Sequence, residues 1–522
     1  MSLSLRWKRL LVPKWRISTE RPAVYGADTR RPPNPEYLGD GAAEVTLRKA
    51  IEDFESVPSV GTASDAMRFF HAEHLRTQIE GPARYLVEHR GRAIPDGLLT
   101  RASAVVGHAQ TDEGTTTARE HTRRLRTLLR IYPENALAWM DLARLKTSEG
   151  DNESAAKHIL AATTLAPGSR VVLRSAARFY AHMDNTELAI DLLRRSPRTK
   201  EDPWLLASEI SLSSLAGRTS RLLKRGHGML EARRFAAADT AELAGALAVE
   251  AVSSGESSKV IKRLFAASVI APNDNALAQA QWAIGALRIE SAIPEAWLDA
   301  PASAEAALYS AMQGGDLHRA LDRALVWHVD EPWASRPLIA GSHLAALMGD
   351  YSASIGHAKT GLKLDPTNTV LLNNLAFSSL CEGNVPEAVA ALMKVTRQKS
   401  PPDPHTLANV GLLAYMCGDA ARGGQAYDEA VRRFEKRGDQ RSAAMVRIFH
   451  AFAASRTSGV MTPLLLESAM RAAQGSNDLL VTKTFELLLA EPQSSHAPNL
   501  LLADELARTW LQAMRASLLQ LQ

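Results

Sequence analysis

The chain has 522 residues, more than a single compact hydrophobic core supports, so it is either several domains or an elongated repeat array. Charged residues make up 23% and the AVILMFWYC set 46%, while Phe, Trp and Tyr reach only 6%, so Ala and Leu do most of the packing. That bias favours close-packed helices over sheets, which draw on β-branched and aromatic residues. Two cysteines, Cys381 and Cys417, exclude a disulfide framework and a four-ligand zinc site, and a reducing, cytoplasmic setting is the simpler expectation.

The net charge of +4 is unevenly spread. Residues 1–31 carry eight Lys or Arg against Glu20 and Asp28, which leaves the rest of the chain near neutrality. Within that basic segment Leu3, Trp7, Leu10 and Leu11 share one helical face and Pro13 stops the run. Residues 2–12 therefore read as a membrane-surface or docking helix, with a mitochondrial-type presequence as the other reading. Residues 1–41, which include Arg31-Pro-Pro-Asn-Pro, are expected to be largely irregular. Residues 42–101 read as a helical N-terminal region, for example from Asp65 to Ile79. There His71-Ala-Glu-His74 could set two imidazoles on one helix face, but no third ligand is matched to them, so the expectation is two exposed histidines and no metal.

From residue 102 onward a period of 34 emerges. Pro133 and Pro167 are 34 apart, as are Pro332 and Pro366, and Gly315, Gly349 and Gly383 repeat the step twice. Gly150 to Gly255 and Pro167 to Pro272 are both 105, three steps of 35. The Pro272-Asn273-Asp274-Asn275 turn also breaks Leu264 to Leu287, the longest stretch nearly free of charge, so no transmembrane span is expected.

The clearest unit runs from Ala136 to Ser169. Trp139 and Leu142 lie on its first helix, Gly150-Asp151 makes a turn, Ala155 and Ile159 are spaced by four, and Pro167 closes the second helix. Similar units occupy 335–368, 369–400 and 404–435, and weaker ones 102–135, 170–201, 202–235, 241–274 and 301–334, with helices from about 440 to 490 continuing the stack. These units resemble the tetratricopeptide repeat, with Ala143 and Lys146 departing from its Gly and Tyr. The resemblance implies an all-α fold, an α-solenoid in which helix-turn-helix repeats wind into a right-handed superhelix over residues 102–490. One hairpin cannot bury its apolar face alone, so stacking is also what the hydrophobic pattern demands.

The resemblance further implies a concave groove lined by the first helix of each hairpin. Its second, fifth, ninth and twelfth positions select Arg144, Arg174 and Arg178 in the units at 136 and 170, and Asn373, Phe377, His405, Leu412 and Tyr415 in those at 369 and 404. Asn374 and Asn409 occupy the sixth position, where an amide in this family can hold the backbone of an extended peptide. The basic residues that a carboxylate clamp wants are absent at Ala408 and Asn409. Arg119, Arg123, Arg124, Arg126 and Arg130 crowd one helix, and Arg218, Arg221, Lys224, Arg225, Arg233 and Arg234 another segment; a solvated face and an anion-binding face are the two readings.

No phosphate loop, nucleophile elbow or His-Glu-x-x-His helix occurs. Cys381 and Cys417 fall at nearly equivalent repeat positions and read as small buried hydrophobes rather than a redox pair. Residues 499–522 read as an amphipathic capping helix whose stripe of Leu502, Leu506, Trp510, Met514, Leu518 and Leu521 would fold over the last hairpin or form a homodimer contact. The expectation is a non-catalytic scaffold or adaptor, without cofactor, that binds a protein or extended peptide in its groove. A nucleic-acid-associated regulatory subunit using the arginine helices and basic tail is the alternative.

Overall fold

The computed structural model describes residues 14–15, 40–67 and 78–89, single positions 94, 98, 102, 105 and 106, and residues 118–490 apart from 132, 233, 287–288, 290–292, 299–302, 399–401, 459–462 and 477. The N-terminal stripe over residues 2–12, the His71/His74 pair and the capping helix at 499–522 lie outside the described residues. Among the described residues every long element is a helix and there is no strand, so the protein is an all-α helical-repeat array. No described helix is long and apolar enough to cross a membrane.

The chain divides into two compact units. One comprises residues 13–147 and 151–216; the other comprises 217–522 together with 1–12 and 148–150. In the first, α1 (Asp40–Ser56), α2 (Val60–Ala66) and α3 (Glu80–Glu88) close around Leu47, Met67, Ile79 and Leu86, a core of their own. Next come α4 (Ala118–Ile131), α5 (Ala136–Ser148), α6 (Asn152–Leu165), α7 (Arg170–His182), α8 (Thr186–Arg195) and α9 (Pro203–Leu215). Leu125 and Leu129 of α4 pack on Ala138, Leu142 and Leu145 of α5, and Leu173 and Ala177 of α7 on Ile190 and Leu193 of α8.

The second unit contains α10 (Leu223–Glu231), α11 (Ala237–Ser253), α12 (Ser258–Ser268), α13 (Asp274–Ala286) and the short α14 (Glu295–Leu298). Four hairpins follow: α15 (Ala304–Gln313) with α16 (Leu317–Asp330), α17 (Arg336–Leu347) with α18 (Tyr351–Leu364), α19 (Thr369–Cys381) with α20 (Val385–Gln398), and α21 (Pro404–Met416) with α22 (Ala420–Lys436). The stack continues through α23 (Gln440–Ser458), α24 (Pro463–Gly475) and α25 (Leu479–Ala490).

A single turn recurs between the two helices of each hairpin, and the sequence dictates it. Gly315, Gly349 and Gly418 sit at φ of +72°, +79° and +80°, the left-handed region where a Cβ is penalised. The next residue sends its amide back to a carbonyl five residues earlier, as Asp316 does to Ala311 (2.9 Å), Asp350 to Ala345 (3.0 Å) and Asp419 to Ala414 (2.9 Å). This is the Schellman closure of the first helix. The same aspartate then caps the second helix. Its carboxylate accepts from the amide three residues on: Asp316 from Arg319 (3.0 Å), Asp350 from Ala353 (2.9 Å) and Asp419 from Arg422 (3.0 Å). The unit at 170 has no glycine there. Asp184 takes the left-handed conformation instead (φ +56°), and Asn185 becomes the cap, accepting from Leu188.

Candidate functional site

The groove positions selected from the sequence have two different fates. In the first unit they hold a piece of the same chain. The carbonyl of Trp15 accepts a hydrogen bond from Arg144 Nε on α5 (3.1 Å), and its indole stands edge-on to Phe179 of α7, with ring centres 6.0 Å apart and planes at 81°. Trp15 is fully buried, and Arg144, Arg174 and Arg178 are buried with it. Arginine reaches such a depth because its apolar stem packs while the planar guanidinium finds acceptors, here including a peptide carbonyl. Arg170, at the start of α7, is otherwise engaged. It pairs with Asp202 and lies over the Trp204 ring, 3.9 Å from its centre. Burial pulls the Arg170 guanidinium below its usual range and Asp202 opposes that shift.

In the second unit the selected positions are covered. Phe377 of α19 is boxed by Tyr351 (6.2 Å between ring centres), Phe449 (5.2 Å) and Phe452 (6.3 Å), the last two on α23. Arg456, also on α23, donates to the Cys381 carbonyl at the end of α19 and lies beside the Tyr351 and Phe452 rings. Leu412 is part of the same core. Tyr415 is half-buried and its hydroxyl meets His450 Nε2 of α23 at 2.8 Å, while Tyr427 stacks on that imidazole (4.7 Å, 5°). His405 bonds through Nδ1 to Asp403 at 2.7 Å.

The asparagines correct the expectation of an open amide ladder. Asn374 is 1% and Asn409 3% exposed. Asn374 Nδ2 donates to Ser342 Oγ at 2.7 Å on α17; Asn409 Nδ2 donates to the carbonyl and Oδ1 of Asn373 at 3.0 and 3.1 Å on α19. Asn373 Nδ2 turns back to the Thr369 carbonyl (2.9 Å). These amides join one first helix to the next, because a buried side-chain amide must find partners and the neighbouring helix offers them.

Arg119, Arg123, Arg124, Arg126 and Arg130 are all exposed on α4, as are Arg218, Arg221, Lys224, Arg225 and Arg234 in the second unit; Arg233 is outside the described residues. Cys381 is buried and Cys417 half-buried, both as free thiols, and burial pushes the Cys381 thiol up to about 12. Among the described residues no group of three His, Cys, Asp or Glu is placed to hold a metal ion.

Sequence reasoning passed over Trp15, Phe179 and His450. Trp15 follows Pro13 and lies off the Leu3/Trp7/Leu10/Leu11 stripe, so periodicity gave it no role. Its signal was a large aromatic just after Pro13 in a basic stretch of sequence.

The fold and these contacts define a helical-repeat protein in which Trp15 packs on two first helices of one unit and α23 covers Phe377 in the other. No protein-family model matches the chain, and no curated protein matches it. Solved structures similar to it include a human IFIT1 dimer with PPP-AAAA, at 16% identity over 69% of this chain and 95% of that one, TM-score 0.35. Others are the APC/C hetero-tetramer Cut9–Hcn1, at 12% over 88% and 99%, TM-score 0.30, and Naa15/Naa10 bound to HypK-THB, at 13% over 93% and 96%, TM-score 0.21.

Proposed function

We propose that the protein is a non-catalytic interaction scaffold of tetratricopeptide type that holds an extended segment of another protein against the first helices of the unit formed by residues 13–147 and 151–216. One observation carries this reading: α5 and α7 already hold one residue from far along the same chain, Trp15, its carbonyl on Arg144 and its aromatic ring on Phe179. A main-chain bond for affinity and a pocket for one side chain are the two ingredients of peptide recognition. The second unit, whose Phe377 face is shut by α23, contributes structure to this reading and no open groove.

The test is crosslinking mass spectrometry on complexes captured with the full chain, repeated with the Arg144→Glu/Arg174→Glu variant. The reading requires crosslinks on residues 136–182 that the variant loses. Crosslinks confined to other helices, or unchanged in the variant, overturn it. Nucleic-acid binding through the exposed arginines of α4 is the contrasting outcome. It would show as affinity for duplex DNA or RNA that falls about 10³-fold between roughly 50 and 200 mM salt, if six or more phosphates are neutralised.

A further inference from the structure

Helix α4 turns Leu125 and Leu129 inward, and His121 and Thr122 are buried with them. At about 100° per residue, the direction away from that core belongs to Arg119, Arg123, Arg126 and Arg130, which share a band about 60° wide and span about 16 Å of helix. All four are exposed, and none makes a side-chain hydrogen bond or an ion pair among the described residues. Glu120, the single carboxylate of the helix, lies to one side of the row. Guanidiniums at i+3 and i+4 repel one another, so the row is unfavourable by itself and gains from an anion laid along it. It is built of arginine without lysine, and the planar fork of arginine takes a carboxylate or a phosphate through two parallel bonds.

Three features favour carboxylates on a helix over a nucleic acid. The row repeats with the helical period, so a facing helix with Glu or Asp at i, i+4, i+7 and i+11 meets it rung for rung. No Phe, Tyr or Trp stands on α4, whereas surfaces that bind single strands add aromatic faces for the bases. On α6 the ammonium of Lys157 is already matched by Glu153 at 2.8 Å, and Asp151 faces Lys146 of α5 at 3.7 Å, so α6 offers no free ammonium to extend the row along a phosphate backbone. We propose that the Arg119, Arg123, Arg126 and Arg130 face of α4 is a docking surface for an acidic helix of a partner protein. The surface is separate from the α5 and α7 positions of the scaffold reading and does not depend on them. Exposed ion pairs are individually weak, so the interaction is salt-sensitive and is set by the whole row rather than by one pair.

The probe is a fluorescein-labelled, alanine-based helical peptide of about 18 residues with Glu at i, i+4, i+7 and i+11. Its controls are a peptide of the same composition with the Glu residues redistributed around the helix, and labelled single-stranded RNA and duplex DNA of matching length. Anisotropy is read at about 50 mM salt with the full chain and with Arg119→Glu/Arg126→Glu. Both positions are exposed, and the reversal turns like-charged neighbours on α4 into i+3 and i+4 pairs, so the variant is expected to keep the wild-type circular-dichroism melt. The helical peptide should bind wild type about tenfold tighter than this variant, and about threefold tighter than the redistributed control binds wild type. Arg123→Ala/Arg130→Ala, which removes charge without reversing it, should give an intermediate loss and answers the question if the first variant melts early.

Equal affinity of the two peptides overturns the helix match. Equal affinity for wild type and both variants overturns the site, and tighter binding of the RNA or DNA through the same arginines overturns the protein partner. Absence of peptide binding at about 50 mM salt, where exposed pairs are weakly screened, removes the docking surface outright. The scaffold reading is decided separately, by crosslinks on residues 136–182.

Discussion

Asn409 gives both protons of its amide group to one residue a repeat earlier, meeting the carbonyl of Asn373 at 3.0 Å and its Oδ1 at 3.1 Å. Together with Asn374 on Ser342 Oγ, this makes the amides rivets between successive first helices of the second unit. An amide lining an open groove would be dispensable for stability, whereas an amide bonded between helices is expected to contribute to it.

Asn374→Ala and Asn409→Ala are each expected to destabilise the second unit by about 1 kcal/mol, rising to about 3 where a buried partner is stranded. The measurement is the urea midpoint at constant slope, with each unit's transition assigned by residue-resolved hydrogen exchange, because a chain of two units need not unfold in one step. Unshifted midpoints for both variants would refute the riveting role.

Asp184 is the one described non-glycine residue in the left-handed region, at the place where other hairpins use glycine. The strain on an L-residue there is of order 1 kcal/mol, partly offset by the extra freedom glycine gives the unfolded chain. Asp184→Gly should therefore hold or slightly raise the melting temperature of the first unit, whereas Asp184→Val, branched at Cβ, should lower it. A Val variant as stable as wild type contradicts the assignment.

The histidines of the second unit predict that it loses stability in acid. Burial lowers the pKa of His450, and lowers that of His343 well below the usual value, with Arg441 among the neighbouring positive charges adding to the second shift. A depressed folded-state pKa means that the unfolded chain takes up protons first as pH falls. Stability is thus intact above about 6.5 and declines below it, by up to about 1.4 kcal/mol per pH unit for each histidine. His343→Gln and His450→Gln should flatten the dependence between about pH 6.5 and 5. If both variants keep the wild-type slope, other groups carry it.

The fold was legible because its punctuation is local. Gly-Asp closes one helix and caps the next within four residues, and proline marks the hairpin ends, so a 34-residue ruler finds them. The arginines of the first unit were legible for the same reason: their spacing alone puts Arg144, Arg174 and Arg178 on first helices. What covers those positions was not legible. Trp15 reaches Arg144 across 129 residues, and Arg456 reaches Cys381 across 75, with no periodicity linking either pair. Groove residues and core residues of a first helix also share one composition. Phe377 and Leu412 would suit a peptide pocket, and they suit equally the core that α23 completes.

Covering by α23 makes a prediction that a single thiol can report. Cys381 lies at the end of α19 beneath Arg456, with its thiol raised to about 12, while Cys417 at the end of α21 is half-buried. At pH 8 the thiolate fraction of Cys381 is then about one part in 10⁴, and burial slows its reaction further. Native protein should show one faster-reacting thiol with a disulfide reagent, Cys417, and a second that reacts only as helices open. Phe449→Ala removes a ring packed on Phe377 and should cost about 3–5 kcal/mol, the usual range for a buried phenylalanine. If α23 detaches as a unit, that loss lowers the cost of exposing α19, so Cys381 should react faster in Phe449→Ala while Cys417 keeps its rate. Acceleration of both thiols together would mean global unfolding instead. An unchanged Cys381 rate in a destabilised variant would show that α23 is not what shields α19.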